Sequence, residues 1–299
     1  MKPLTYQCLQ MVLHEMSFLK RKELYAKCPA IRKQEERIGY KINEMEIRQY
    51  SNRCSISVDN FKIVFEEPPE DKMEKFVITM ENKKTKITVK YSIDLILNEA
   101  AEKWVTYVLN RPDTKIQHLK LYAEPICILK CDPITIINLT MGIHSAAPEG
   151  RSSWVKTTVP VRHLEVGYVI RDDTMKTAPS VVISSARDID FKILSAWQAN
   201  KIIINAWLSL EQVVTYCTTI TPKPIGFRCE SWIEHMNMEY GTLDWLAGKA
   251  SARKTTWNGK KCFTILLDAF SELNVHGNLD KFSNILIMEV NPRGTAIHR

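Results

Sequence analysis

Apolar residues recur through the first forty positions at helical spacing. Leu9, Val12, Leu13 and Met16 fall at i, i+3, i+4 and i+7, one face of a helix, with Thr5 in the position of an N-cap ahead of them. A second stripe, Leu24, Tyr25 and Cys28, is stopped by Pro29, whose ring cannot continue a helix, and a third runs through Ile31, Glu35 and Ile38. Helices this short bury too little surface alone, so the segment predicts a small bundle attached to something larger. After Gly39 the period drops to two. Ile42, Met45 and Ile47, then residues 55–58, 61–65, 76–80 and 85–89, predict antiparallel strands, with Asp59-Asn60 as a turn and 66–72 as a polar loop. From Ser92 the helical period returns in Ile93, Ile96, Leu97, Ala100, Ala101, Trp104, Val105 and Val108, ending before Arg111-Pro112-Asp113.

Beyond residue 112, apolar runs at 118–122, 134–139, 162–166, 180–183, 201–204, 224–227, 261–267 and 285–290 predict strands. Residues 208–217 read as a short amphipathic helix, and 230–233 as a helix signal around Trp232. Leu164, Val181, Ile202 and Ile225 are 17, 21 and 23 residues apart. That is close to the roughly 20 to 29 residues of a leucine-rich repeat. No recurring asparagine or leucine consensus accompanies the spacing, so a degenerate leucine-rich-like array and an ordinary α/β layer fold both stay open. The expected fold class is α+β or α/β: a helical module in 1–40, a small antiparallel β-rich domain ending in a helix in 41–112, and a strand-helix, repeat-like region in 113–299.

Composition narrows the compartment. With 45% apolar and 25% charged residues the chain fits a soluble globular protein. The longest apolar clusters, 134–139 and 202–208, fall far short of the ~18 residues a membrane helix needs. No leader and no membrane span are expected, which points to the cytoplasm or nucleus and to reduced thiols for the eight cysteines. A net charge of +7 would permit nucleic-acid binding. The basic residues are scattered in short clusters, at 20–22, 83–86, 253–254 and 260–261, without interleaved aromatics, and read as solvated surface.

Candidate chemistry is sparse. Cys127 and Cys131 lie four apart without a second close pair, so they read as buried thiols rather than zinc ligands. The seven histidines are dispersed and no Gly-x-Ser-x-Gly elbow occurs, so Ser184-Ser185 reads as structural. Arg171-Asp172-Asp173 and Asp188-Ile189-Asp190 are spaced as acid/base or magnesium carboxylates could be, but sit in polar connections where solvated charge is the expectation. Ten glycines and no phosphate-binding loop argue against a cofactor cradle. No catalytic, metal or cofactor residue is assigned, and a non-enzyme is expected. Trp197, Trp207, Trp232, Trp245 and Trp257 are either core or binding anchors.

Pro3-Leu4-Thr5-Tyr6, the run from Leu9 to Met16, Arg21, Cys28-Pro29 and Ile31-Arg32 resemble the F-box-like N-terminus of a large nematode family of uncharacterised proteins. Lys223-Pro224-Ile225-Gly226 and the ending Met288-Glu289-Val290-Asn291-Pro292-Arg293-Gly294-Thr295-Ala296 are also similar to that family, which carries a domain of unknown function and a leucine-rich-like region. The resemblance implies a substrate-recognition subunit of a cullin-type ubiquitin ligase. Leu4, Leu9, Val12, Leu13 and Met16 would divide between internal packing and contact with a Skp1-type adaptor, and the C-terminal region would hold an unknown protein target. One departure is plain: Thr5 follows Leu4 where F-box segments usually have proline. The alternatives are an interaction module without the ligase contact, or a weakly basic binder of nucleic acid or membrane surface.

Overall fold

A computed structural model describes residues 6–67, 76–93, 95–143, 148–168, 172–185, 189–233, 241–278 and 284–298. The chain is mixed α and β and divides into two compact units, 1–161 and 162–299. The helices of the first forty residues therefore share a unit with the strands that follow them.

In the first unit α1 (Tyr6–Glu15), α2 (Phe18–Lys27) and α3 (Arg32–Glu35) precede β1 (Lys41–Gln49). Ser17 caps α2 by accepting from the Lys20 amide, and Pro29 starts a 3-10 turn, Pro29–Ile31, that separates α2 from α3. Then come β2 (Arg53–Val58), β3 (Phe61–Glu66), β4 (Phe76–Asn82), β5 (Thr88–Ile93), α4 (Leu97–Leu109), β6 (Lys115–Ala123) and β7 (Thr135–Gly142). The strands β1 to β5 form the expected antiparallel meander, and β1 also pairs in parallel with β6, which pairs in parallel with β7. Asp59 makes the β2–β3 turn at φ 49° and its Oδ1 accepts from the Asn43 and Glu44 amides at 3.0 Å. Leu97, Ala100, Ala101, Val105 and Val108 of α4 are buried as their spacing predicts. Ile93 and Ile96 are corrections to that stripe: Ile93 ends β5, and Ile96 is the exposed N-cap of α4.

In the second unit β8 (His163–Val166), α5 (Asp173–Thr177), β9 (Ser180–Ile183), α6 (Phe191–Ser195), β10 (Lys201–Leu208), α7 (Leu210–Thr219) and β11 (Arg228–Ile233) alternate strand and helix. The four strands are parallel neighbours in chain order. A reciprocal capping box, Ser209 with Gln212, starts α7. Then follow α8 (Thr242–Lys249), β12 (Arg253–Trp257), β13 (Lys260–Leu266), β14 (Ser271–Asn278), β15 (Ile285–Pro292) and β16 (Ile297–His298). Strands β12 to β15 run antiparallel, and β15 closes onto β11.

Several elements depart from the sequence pattern. Residues 224–227, expected as strand, form a turn ahead of β11 with Ile225 58% exposed, so the fourth position of the repeat spacing is not on a strand. Residues 230–233 are strand, not helix: along β11 Cys229, Ser231 and Ile233 are buried while Arg228, Glu230 and Trp232 are half-buried, a period of two. Strand β14 has no alternation to detect, because Glu272, Asn274 and His276 are as buried as Leu273 and Val275. Glu272 accepts from the Gly294 and Ala296 amides at 3.1 and 2.9 Å and from the Thr295 hydroxyl at 3.1 Å, so the terminal Gly294-Thr295-Ala296 turn cradles a carboxylate. Lys223 is likewise buried, donating to the carbonyls of Ser195 and Trp197, and burial pushes it down to about 8. No helix among the described residues is long and apolar enough to cross a membrane.

Candidate docking site on the N-terminal helices

The expected docking residues do not share one environment. Leu13 is fully buried, Leu9 and Met16 are half-buried, and Val12 is 43% exposed. Leu4 lies outside the described residues, as does Thr5. The residue the apolar stripe misses is Met11, 70% exposed, about 160° around the helix from the buried Leu13 at ~100° per residue. Its only sequence signal is a large apolar side chain among polar neighbours, Gln7, Gln10 and His14. Met11 lines a cleft of about 370 Å³ with Gln10, His14, Glu15, residues 37–39, Pro112 and Asp113. Lys41 donates to Glu15 at 2.5 Å across its edge and, with His14, holds that carboxyl below the usual range.

Gly39 makes this cleft possible. A Cβ there would stand 2.1 Å from the carbonyl oxygen of Pro112 and 2.5 Å from the amide of Thr114, so only glycine lets the two backbone segments pass.

Behind the cleft, a buried polar cluster fastens the helices to the strands. Arg21 was expected as solvated surface and is instead completely buried. Its guanidinium fork donates to the carbonyls of Gly39 at 2.6 Å, Ile38 at 2.7 Å and Glu35 at 3.0 Å, at and just beyond the end of α3, which is what makes its burial tolerable. Glu35, also fully buried, pairs with Arg111 at 2.8 Å, Arg21 at 3.3 Å and Lys22 at 3.5 Å, and accepts from the Tyr40 hydroxyl at 2.7 Å. Burial would raise the Glu35 carboxyl, but the Tyr40 hydroxyl, Arg111 and Lys22 reverse this and hold it below the carboxylate range. Phe18 completes the anchor, its ring 5.0 Å from Tyr40, 5.8 Å from Phe61 and 6.1 Å from Trp104. The cluster ties α2 and α3 to the strands, and α1 joins them through its buried Leu13 and the Glu15–Lys41 pair.

The other residues singled out by sequence fall into structural roles. Asp172 caps α5 by accepting from the Thr174 amide at 2.9 Å, and Asp190 caps α6 by accepting from Lys192 and Ile193 at 2.9 and 3.3 Å. Arg171 and Asp188 lie outside the described residues. Cys127 and Cys131 are buried around a 3-10 turn, Ile126–Ile128, and burial pushes the Cys131 thiol up to about 12. Trp197 is core, while Trp207 (51% exposed) and Trp245 (40% exposed) face outward. Trp207 and the half-buried Trp232 pair across β10 and β11 with ring centroids 5.6 Å apart. A second cleft, of about 390 Å³, opens at the ends of β1 and β6, where Gln49 donates to Asn98 at 2.7 Å and accepts from the Cys127 amide at 2.9 Å. Among the described residues no group of three or more His, Cys, Asp or Glu is arranged to hold a metal.

No family model, curated protein or solved structure matches this chain. Its residues and their geometry carry the functional reading.

Proposed function

We propose that the chain is a non-enzymatic, F-box-like adaptor, a substrate-recognition subunit in which the N-terminal helices dock on a Skp1-type protein of a cullin ubiquitin ligase. The observation that carries the reading is the exposed apolar pair Met11 and Val12 on a helix whose Leu13 side is locked into the unit. An exposed apolar pair on a rigid base can contribute affinity without first ordering the helix, the main cost of docking a loose segment. Of the expected contacts, Val12 is available to a partner, Leu9 and Met16 sit at the margin, and Leu13 serves packing.

The second half of the reading concerns the target. The in-order parallel strands β8 to β11 with intervening helices support a degenerate leucine-rich-like arrangement, and Trp207 with Trp232 supplies an aromatic anchor of the kind that dominates interfaces. Holding ligase and target on one chain raises the target's effective concentration near the ubiquitin donor. A second reading, an interaction module without ligase contact, is favoured by Thr5 standing in place of the usual proline. Co-precipitation of the intact chain with a purified Skp1-type protein separates them. The adaptor reading predicts capture that Met11→Asp with Val12→Asp abolishes, and absence of capture by the folded wild-type chain sinks it.

A further inference from the structure

The buried charge of the first unit does not balance. Three cations, Arg21, Arg111 and Lys22, surround the single carboxylate Glu35 among the described residues. The Glu35 and Arg21 side chains are 0% exposed, Arg111 5% and Lys22 24%. With every group in its ordinary protonation state the cluster holds two positive charges in excess, in a setting where an uncompensated charge is costly. The guanidiniums cannot release protons near neutrality. Lys22 is the one cation of the three whose charge can change, by losing a proton or by becoming an anion.

We propose that Lys22 is a carbon dioxide acceptor, its Nζ forming a carbamate that supplies the missing negative charge beside Arg111 and Tyr107. The lone pair of the neutral amine attacks the carbon of CO₂ and an N–C bond forms. One C=O π pair moves onto oxygen, and the N–H proton passes to solvent buffer. Nothing is oxidised or reduced: amine and CO₂ give carbamate anion and a proton. Lys22 changes from one positive to one negative charge, and the two guanidiniums then face two anions.

The surroundings fit each requirement. Lys22 Nζ donates to the Tyr107 hydroxyl at 2.7 Å, and the same oxygen accepts from Arg111 Nη2 at 2.7 Å. A carbamate at that position has the Arg111 guanidinium and the Tyr107 hydroxyl as donors. The rings of Tyr107, Tyr25, Tyr40 and Phe18 stand 4.5, 5.1, 5.3 and 5.8 Å from Nζ and cover most of the side chain, leaving it 24% exposed. Ring faces also favour the ammonium. Burial outweighs them: with the charge of Arg111 added, and Glu35 opposing, it lowers Lys22 to about 8. At pH 7.4 about a fifth of such amines are neutral, roughly 200-fold more than for an ordinary lysine. The groups facing Nζ from α2, α3, α4 and the segments beside them are Arg21, Tyr25, Glu35, Tyr40, Tyr107 and Arg111, with the exposed Glu36 carboxylate behind Tyr25, accepting from its hydroxyl at 2.7 Å. The consequence is a docking base whose firmness follows dissolved CO₂, a property that stands whether or not the helices bind a ligase.

The test uses the full chain in ¹³C-bicarbonate at pH 8, with carbamate read by ¹³C NMR and then fixed by O-alkylation for peptide mass spectrometry. The expected result is label on the peptide carrying Lys22, lost in Lys22→Arg, reduced several-fold in Tyr107→Phe, and rising with pH at fixed dissolved CO₂. Mapping on the wild-type chain needs no variant to fold. Absence of label at Lys22, or label confined to other amines, overturns the proposal. So does a bicarbonate-induced rise in melting temperature that chloride or phosphate reproduces with no label at Lys22, since the site would then hold a free anion.

Discussion

Replacing Glu35 by glutamine removes one charge and almost no volume from the buried cluster. The amide oxygen can still accept from the Tyr40 hydroxyl, now at 2.7 Å from the carboxylate, so packing and that hydrogen bond persist. What disappears is the carboxylate that, among the described residues, pairs with Arg111 at 2.8 Å, Arg21 at 3.3 Å and Lys22 at 3.5 Å. Breaking a buried pair by deleting one partner costs about 3–5 kcal/mol, because the remaining charge is left desolvated. The expected loss in the first unit is in that range. Hydrogen exchange in increasing urea, read on peptides from 18–40 and 97–111 with 201–233 as internal reference, measures it unit by unit, which a single global transition in a two-unit chain would not. A change below about 1 kcal/mol in those peptides would refute the claim that Glu35 is an essential counter-charge. The pH dependence supplies an independent check. The Glu35 carboxyl is held below its unfolded value, so its contribution is present above about pH 4.3 and is lost as pH falls through the lower folded value. Wild type should therefore converge on Glu35→Gln in acid, and parallel curves down to pH 2 would contradict the assignment.

Three further outcomes follow from the same geometry. Gly39→Ala places a Cβ against the Pro112 carbonyl, so the first unit is expected to lose several kcal/mol, of order ~3 or more, seen as a large drop in melting temperature. Asp190→Ala removes the cap of α6 and should cost about 1 kcal/mol in urea titration, confined to the second unit. In timed alkylation followed by mass spectrometry the exposed Cys8 should react first, while Cys131 and Cys217, both buried with thiols pushed up to about 12, should wait for unfolding; prompt labelling of either would show the core packing to be wrong.

Periodicity made much of the fold legible. Strand β1, α4 and α7 each bury one face, and one-sided burial writes a period into the sequence. Where both faces are buried that signal vanishes. Strand β14 is hidden because Glu272, Asn274 and His276 sit inside, with Glu272 held by a turn twenty-two residues away, a relation that local pattern does not encode. Arg21 is misjudged for the same reason: in sequence it belongs to a basic triplet, and only the carbonyls of residues 35, 38 and 39, brought together at and just beyond the end of α3, make its burial possible. The candidate site was half legible. The stripe located α1 and its buried Leu13, but the outward Met11 lies off the stripe, and the cleft beside it depends on the close pass of Gly39 and Pro112.

The central claim is that α1 presents its outward side to a Skp1-type partner from a fixed base. Hydrogen exchange of the intact chain with and without that partner tests it most directly. The account predicts slowed exchange in α1, residues 6–15, while the already protected Arg21 and Glu35 segments change little, and loss of the effect in Met11→Asp with Val12→Asp. Unchanged exchange in α1 at saturating partner, or protection confined to the second unit, would contradict it.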